Sequence, residues 1–206
     1  MTTTLGTRRR PGRPRDPHLA DRAFDATTAL LAEGGFAALS MDRIAARAGV
    51  AKATLYARWP SKADLVVAAV AHRYGGALPA APDTGDVRED LVALLGAFCA
   101  AMRGDYGRVM APLIGGLTHD PDLAATFRHE FVEPRRRRVR QALERGRARG
   151  QLRSGADLDV LADAGAAMVF LRLLVTGEEL DEGLPDRLVR QLLDPWLVDP
   201  SPEGRS

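Results

Sequence analysis

Cysteine is almost absent from this chain. Its one thiol, Cys99, cannot close an intrachain disulfide, so the fold must form without covalent staples. Long hydrophobic runs are missing too: no stretch approaches the roughly 18 apolar residues of a membrane span, and no basic-then-apolar leader opens the chain. A cytoplasmic location, with no membrane partner, is the expectation. Strand-like alternation and internal repeats are lacking, which leaves helical periodicity as the organising pattern. There is no Gly-x-Ser-x-Gly elbow, no phosphate-binding loop and no dinucleotide fingerprint. His119, Asp120, Asp122 and His129 have ligand-type side chains, but their spacing matches no closed metal site, and Asp120-Pro121 reads as a helix cap followed by a proline in the first turn. No enzyme activity, cofactor or metal is expected.

What is present is an uneven charge distribution. Hydrophobic residues make up 46% of the 206, enough to bury a core. Up to residue 62, eleven basic side chains face five acidic ones, a balance of +6; the remainder carries 18 against 22, a balance of −4. A basic front and a mildly acidic back suit a polyanion-binding head joined to a body with another task.

Periodicity and punctuation divide the chain into a flexible basic arm at 1–16, a head at 17–75 and a body at 86–200. The arm has five arginines, two prolines and two glycines in its first fifteen residues and almost no apolar content. In the head, Ala20, Ala23, Phe24, Thr27, Leu30 and Leu31 fall at helical spacing and the glycine pair at 34 and 35 stops that helix. Ser40 caps a second helix with Ile44, Ala45 and Ala48 inward, and Gly49 ends it in a left-handed turn. A third helix runs from Lys52 to about Trp59, Pro60 closes it, and Ser61 starts a fourth. The Gly/Pro/Ala/Asp-rich loop "GGALPAAPDTGD" marks the boundary. Beyond it, helices are predicted at 87–103, 107–118, 121–149 with an interruption at Pro134, 157–177 and 184–198. The fold class is all-α, with about nine helices.

A helix, a tight glycine turn and a second short helix have the spacing of a helix-turn-helix, whose second helix enters the DNA major groove. Lys52, Ala53, Thr54, Ala57 and Arg58 would then lie outside, lysine reaching phosphate or guanine and the threonine methyl touching thymine. Ser40, Tyr56 and Lys62 suit phosphate contacts, two of them beside helix amino termini. A structural three-helix bundle with a solvated polar face would share this spacing.

The stretch "LSMDRIAARAGVAKATLYARWPSKADLV" resembles the DNA-binding domain of the TetR family of bacterial transcriptional regulators, and the likeness covers about residues 18 to 72. "IAARAGV", "TLY" and "WPSK" carry it. The resemblance implies a homodimeric all-helical repressor with a ligand-binding, dimerising body; it places Lys52, Thr54 and Tyr56 at DNA and Lys62 on phosphate. Two positions depart from the family pattern. Ala51 stands where Ser or Thr is common, so the recognition helix lacks a capping hydroxyl, a loss of about 0.5–2 kcal/mol. Ala57 replaces a larger side chain, which shifts base reading to Lys52, Thr54, Arg58 and DNA shape.

Other features leave alternatives. Arg10, Arg13 and Arg15, interleaved with Pro11, Gly12 and Pro14, loosely resemble an AT-hook lying in a narrow minor groove; a solvated tail has the same letters. "EPRRRRVRQALERGRARG" reads as a solvated helix face, with Val139, Ala142, Leu143 and Gly146 inward. Phe98, Met102, Met110, Leu113, Leu117, Phe127, Phe131 and Met168 are candidates for lining a ligand pocket, or ordinary core. The segment from 147 to 182 resembles one branch of TetR-family bodies, whose effectors are chemically varied. In the last two helices, the small residues Ala162, Gly165, Ala166 and Ala167, the apolar run through Leu171, Leu174 and Val175, and Leu188, Leu192, Leu193 and Trp196 suggest a homodimer interface, with ordinary core as the alternative. The expected function is a sequence-specific repressor that leaves a double-stranded operator when a small-molecule effector binds. The rival is an architectural DNA binder whose body only dimerises.

Overall fold

Short-range signals set most helix ends in the computed structural model, which describes residues 18–74 and 80–198. The basic arm, with Arg10, Arg13 and Arg15, lies outside the described residues. The first helix, α1 (Leu19–Gly34), stops at Gly35, whose φ is 68°. Ser40 Oγ accepts the Arg43 N–H at 3.2 Å and starts α2 (Met41–Ala48). Gly49, at φ 66° and ψ 36°, adopts the left-handed geometry that turns the chain into α3 (Lys52–Tyr56). At the head of α4 (Lys62–Tyr74), Ser61 Oγ accepts the Asp64 N–H at 3.0 Å while the Asp64 carboxylate accepts the Ser61 N–H at 3.1 Å, a reciprocal cap. Asp86, Asp120 and Asp157 cap α5 (Val87–Arg103), α7 (Pro121–Phe127) and α9 (Leu158–Leu171). Between them lie α6 (Asp105–Gly116) and α8 (Glu133–Ala148), and α10 (Leu184–Leu188) follows. If the continuous rod 121–148 is taken as one, the described residues form nine helices. Their only β pairing is an isolated bridge between Leu152 and Leu197.

The structure differs from the predicted elements at two places. Pro134 does not interrupt its helix. The turn Arg128–Val132 is widened to a π-turn, in which Glu133 N–H reaches Arg128 O, and the proline then occupies the start of α8, where a missing N–H is tolerated. The recognition helix α3 is also shorter than predicted, ending at Tyr56; Arg58 and Trp59 N–H groups close the last turn onto Leu55 O at 3.0 and 2.8 Å before Pro60.

Packing joins head and body through one apolar core. Leu31, Ile44, Leu55, Leu65 and Val66 cluster with Met110, Leu113 and Leu123, because α6 lies against α1 and α7 against α4. A second cluster, with Val87, Leu91, Leu143, Leu161 and Val189, knits α5, α8, α9 and the turns 189–196 that continue α10 as the last helix. Close approach depends on small residues here: a Cβ on Gly146 would sit 2.7 Å from Val87 Cβ. Asp90 is the one fully buried charged residue among those described. Its carboxylate accepts from Thr84 N and Oγ1, both at 3.0 Å, and faces Arg145 at 3.4 Å, so the linker end is tied to α5 and α8. The arginines of α8 and its end are mostly paired, Arg136 with Asp163 at 2.9 Å, Arg140 with Glu144 at 3.0 Å and the C-cap Arg149 with Asp83 at 2.5 Å. That lacing makes α8 a salt-bridged helix face.

Candidate nucleic-acid interface and the cavity behind it

Leu55 sets the orientation of α3. It is fully buried, and the residues around it, Lys52, Ala53, Thr54, Tyr56, Ala57 and Arg58, are all exposed. Below them Trp59 packs on Phe24 with ring centroids 5.3 Å apart, and the Arg58 guanidinium sits 5.8 Å from the Trp59 ring centre. One buried leucine on a five-residue helix thus leaves a lysine, two hydroxyls and an arginine facing outward.

The amino end of α3 has no side-chain cap at Ala51, as its missing hydroxyl requires. It also begins with a cation, which is unfavourable at the positive end of a helix dipole. Asp42 offsets this: its carboxylate accepts from Lys52 Nζ at 2.9 Å, and that hydrogen bond, followed by the charge of Asp42, holds the ammonium above its ordinary pKa. The sequence reading missed Asp42 as a modulator of this face, although an acid ten positions before a helix-starting lysine was visible. It also missed Arg43, exposed beside Ser40 and donating to Ala38 O.

Ser40 is half-buried and spends its lone pair on the α2 cap, while its hydroxyl hydrogen remains a donor. Lys62 is also half-buried: Nζ donates to Phe36 O at 3.2 Å and lies 3.9 Å over the Phe36 ring. One of its three N–H groups is therefore committed to fastening α4 to the turn after α1.

In the body, a narrow cleft with about 40 Å³ of void lies between α5, α8, α9 and the Val189–Leu193 turn that continues α10. Leu91, Leu95, Phe98, Val139, Leu161 and Ala166 form its apolar wall, and Arg135 is its one charged residue. Of the eight pocket candidates, the structure brings only Phe98 to this cleft. Met102 lines a separate open groove by Arg172 and Leu180. Met110, Leu113 and Phe127 are buried in the core, with Leu117, Phe131 and Met168 packed against it. Residue type alone could not separate core from pocket. Among the described residues no group of three or more His, Cys, Asp or Glu could hold a metal, and no helix is long and apolar enough to cross a membrane.

An outward, basic second helix on an all-helical body defines a helix-turn-helix transcriptional regulator. Residues 23–69 match the family described as "Bacterial regulatory proteins, tetR family", and residues 81–192 match "Tetracyclin repressor-like, C-terminal domain". The uncharacterized HTH-type transcriptional regulator YdeS of Bacillus subtilis (strain 168) is 36% identical over 182 residues, 88% of this chain and 89% of that protein. The crystal structure of the TetR family transcription regulator SCO0332 is 38% identical, superposes with a TM-score of 0.68 and covers 89% of this chain and 100% of its own. The Flavonoid-responsive Regulator FrrA is 27% identical with a TM-score of 0.66, covering 85% of this chain and 93% of its own. The chain belongs to the TetR family of bacterial transcriptional regulators.

Proposed function

We propose that this chain is a homodimeric repressor, in which the head 17–75 reads an operator and the body 86–200 dimerises and releases the DNA when a small molecule enters it. The observation that carries the reading is the burial split on α3, with Leu55 held in the core and its basic and hydroxyl neighbours presented outward. Lys52, Thr54 and Arg58 are assigned to base edges and phosphate, Ala53 to close backbone approach, and Ser40, Tyr56 and Lys62 to phosphate. The repressor-like family of the body and a relative described as flavonoid-responsive support ligand control. The proposed location is the cytoplasm, where operator DNA lies.

Dimerisation is assigned to the outer face of α9 and the end of the last helix. Apart from Tyr56, every exposed large apolar side chain among the described residues lies there: Val160, Leu171, Leu174, Val175, Trp196 and Val198. Val160, Ala167 and Leu171 recur at helical spacing on α9, and Leu174 and Val175 follow in the widened turn Arg172–Thr176 that continues it. The dimer face is narrower than expected, since Ala162, Ala166, Leu188 and Leu193 point into the chain's own core. A dimer places two recognition helices about 34–36 Å apart, one turn of DNA. Because α6 packs on α1 and α7 on α4, movement in the body reaches the heads. Complete reversal of occupancy requires the effector to prefer the released spacing by about 5.5 kcal/mol.

A footprint on DNA flanking the protein's own gene, with and without effectors, tests the reading. A protected pseudo-palindrome is expected. Binding with equal affinity to random DNA at all salt concentrations would instead support the architectural alternative.

A further inference from the structure

The cleft between α5, α8 and α9 is apolar apart from Arg135, and that arginine is incompletely compensated. Its side chain is only 14% exposed. Nη1 donates to Ala162 O at 3.1 Å, and the guanidinium carbon lies 5.9 Å from the centre of the Phe98 ring. Its one anionic contact among the described residues, Asp163 Oδ1, is long at 3.4 Å. The same oxygen lies 2.9 Å from Arg136 Nε, in an ion pair without a hydrogen bond, and the Asp163 side chain is half exposed to water. Two guanidinium groups therefore share the charge of one carboxylate, Arg135 through a long hydrogen bond and Arg136 by proximity alone. Burial pushes Arg135 below its ordinary pKa, against the smaller opposing effect of Asp163. A buried cation with a long, shared counter-ion is costly unless a further anion completes its shell.

The geometry points to an amphipathic organic acid as the ligand of this cleft, its carboxylate paired with Arg135 and its hydrocarbon body lying between Leu91 and Leu95 of α5 and Ala166 of α9. A planar guanidinium grips a carboxylate through two parallel N–H bonds, a geometry that neither an alcohol nor an amine can match. Gly165 lets Leu95 close over the cleft: a Cβ there would stand 3.2 Å from a Leu95 methyl, so any larger residue would press on this wall. Leu95 itself is half-buried and is the wall that must shift as the ligand seats.

This assignment rests on the body being an effector domain only for its regulatory meaning, and occupancy can be read without DNA. Titration calorimetry on the full chain with octanoate, octanol and octylamine is the test. Octanoate is expected to bind at least tenfold more tightly than octanol, with octylamine weakest. Arg135→Gln should remove the octanoate preference while octanol binding stays within about twofold, and Gly165→Val should weaken both. Equal binding of octanoate and octanol to the wild-type protein, no octanoate binding, or an undiminished preference in Arg135→Gln would each overturn the assignment. Should Arg135→Gln fail to fold, the wild-type octanoate-to-octanol ratio decides alone. Octanoate that binds but leaves operator affinity unchanged refutes ligand control in this body and leaves the site intact; operator release without discrimination between the probes does the reverse.

Discussion

Replacing Asp42 by Asn should make the recognition face bind DNA more tightly and with a steeper dependence on salt. In the free protein Lys52 Nζ is held by the Asp42 carboxylate at 2.9 Å, with both side chains well exposed. Any phosphate that Lys52 meets must compete with that carboxylate, and the carboxylate itself faces the polyanion. Each additional phosphate contact steepens the dependence of log affinity on log salt by about 0.9. A dimer brings two copies, so the slope should increase by about 1.8. Across a fourfold change in salt, from about 50 to about 200 mM, the gain at the low end should exceed that at the high end by about twelvefold. Fluorescence anisotropy with a labelled random duplex and with the operator measures both slopes, and Lys52→Met in the Asp42→Asn background should erase the increase. An unchanged slope on both duplexes would refute the reasoning, because Lys52 would then not reach the backbone at all.

Three further outcomes follow from other parts of the fold. Ala51→Ser restores a cap to α3 and should raise unfolding free energy by about 0.5–1 kcal/mol in urea titration; no gain would mean that the free amides of α3 are already satisfied by water. Leu171→Glu, on the exposed stripe of α9, should give monomers in sedimentation velocity and weaken operator binding, with the helical circular dichroism unchanged; an intact dimer would move the interface elsewhere. Burial raises the Tyr106 phenol to about 12, so between its unfolded value near pH 10 and pH 12 the unfolded chain holds fewer protons and stability falls by about 1.4 kcal/mol per pH unit. The decline should be blunted in Tyr106→Phe, measured by urea midpoints at pH 9 and 11; parallel decline in both proteins would contradict it.

Helix ends and types were legible because their causes are local. Ser40, Gly49, Ser61 and Asp120 act within a few residues of where they stand, and each does so in the structure. The bare amino end of α3 was legible for the same reason, since Ala51 has no hydroxyl to offer. Pro134 misled because a proline's effect depends on the turn before it, and a widened turn moves it from the interior of a helix to its start.

Sequence alone thus determined the all-helical class, the punctuation of the head and the outward set Lys52, Thr54, Tyr56 and Arg58, since spacing around one leucine decides which side of a short helix is buried. Only the tertiary structure decided which apolar side chains line a cleft and which merely fill the core, that Arg135 stands in that cleft with a shared counter-ion, and that Lys62 is fastened to Phe36. Periodicity assigns a side chain to a face of its own helix. The groups opposite that face come from segments tens of residues away, and their identity and distance set burial, charge compensation and room for a ligand.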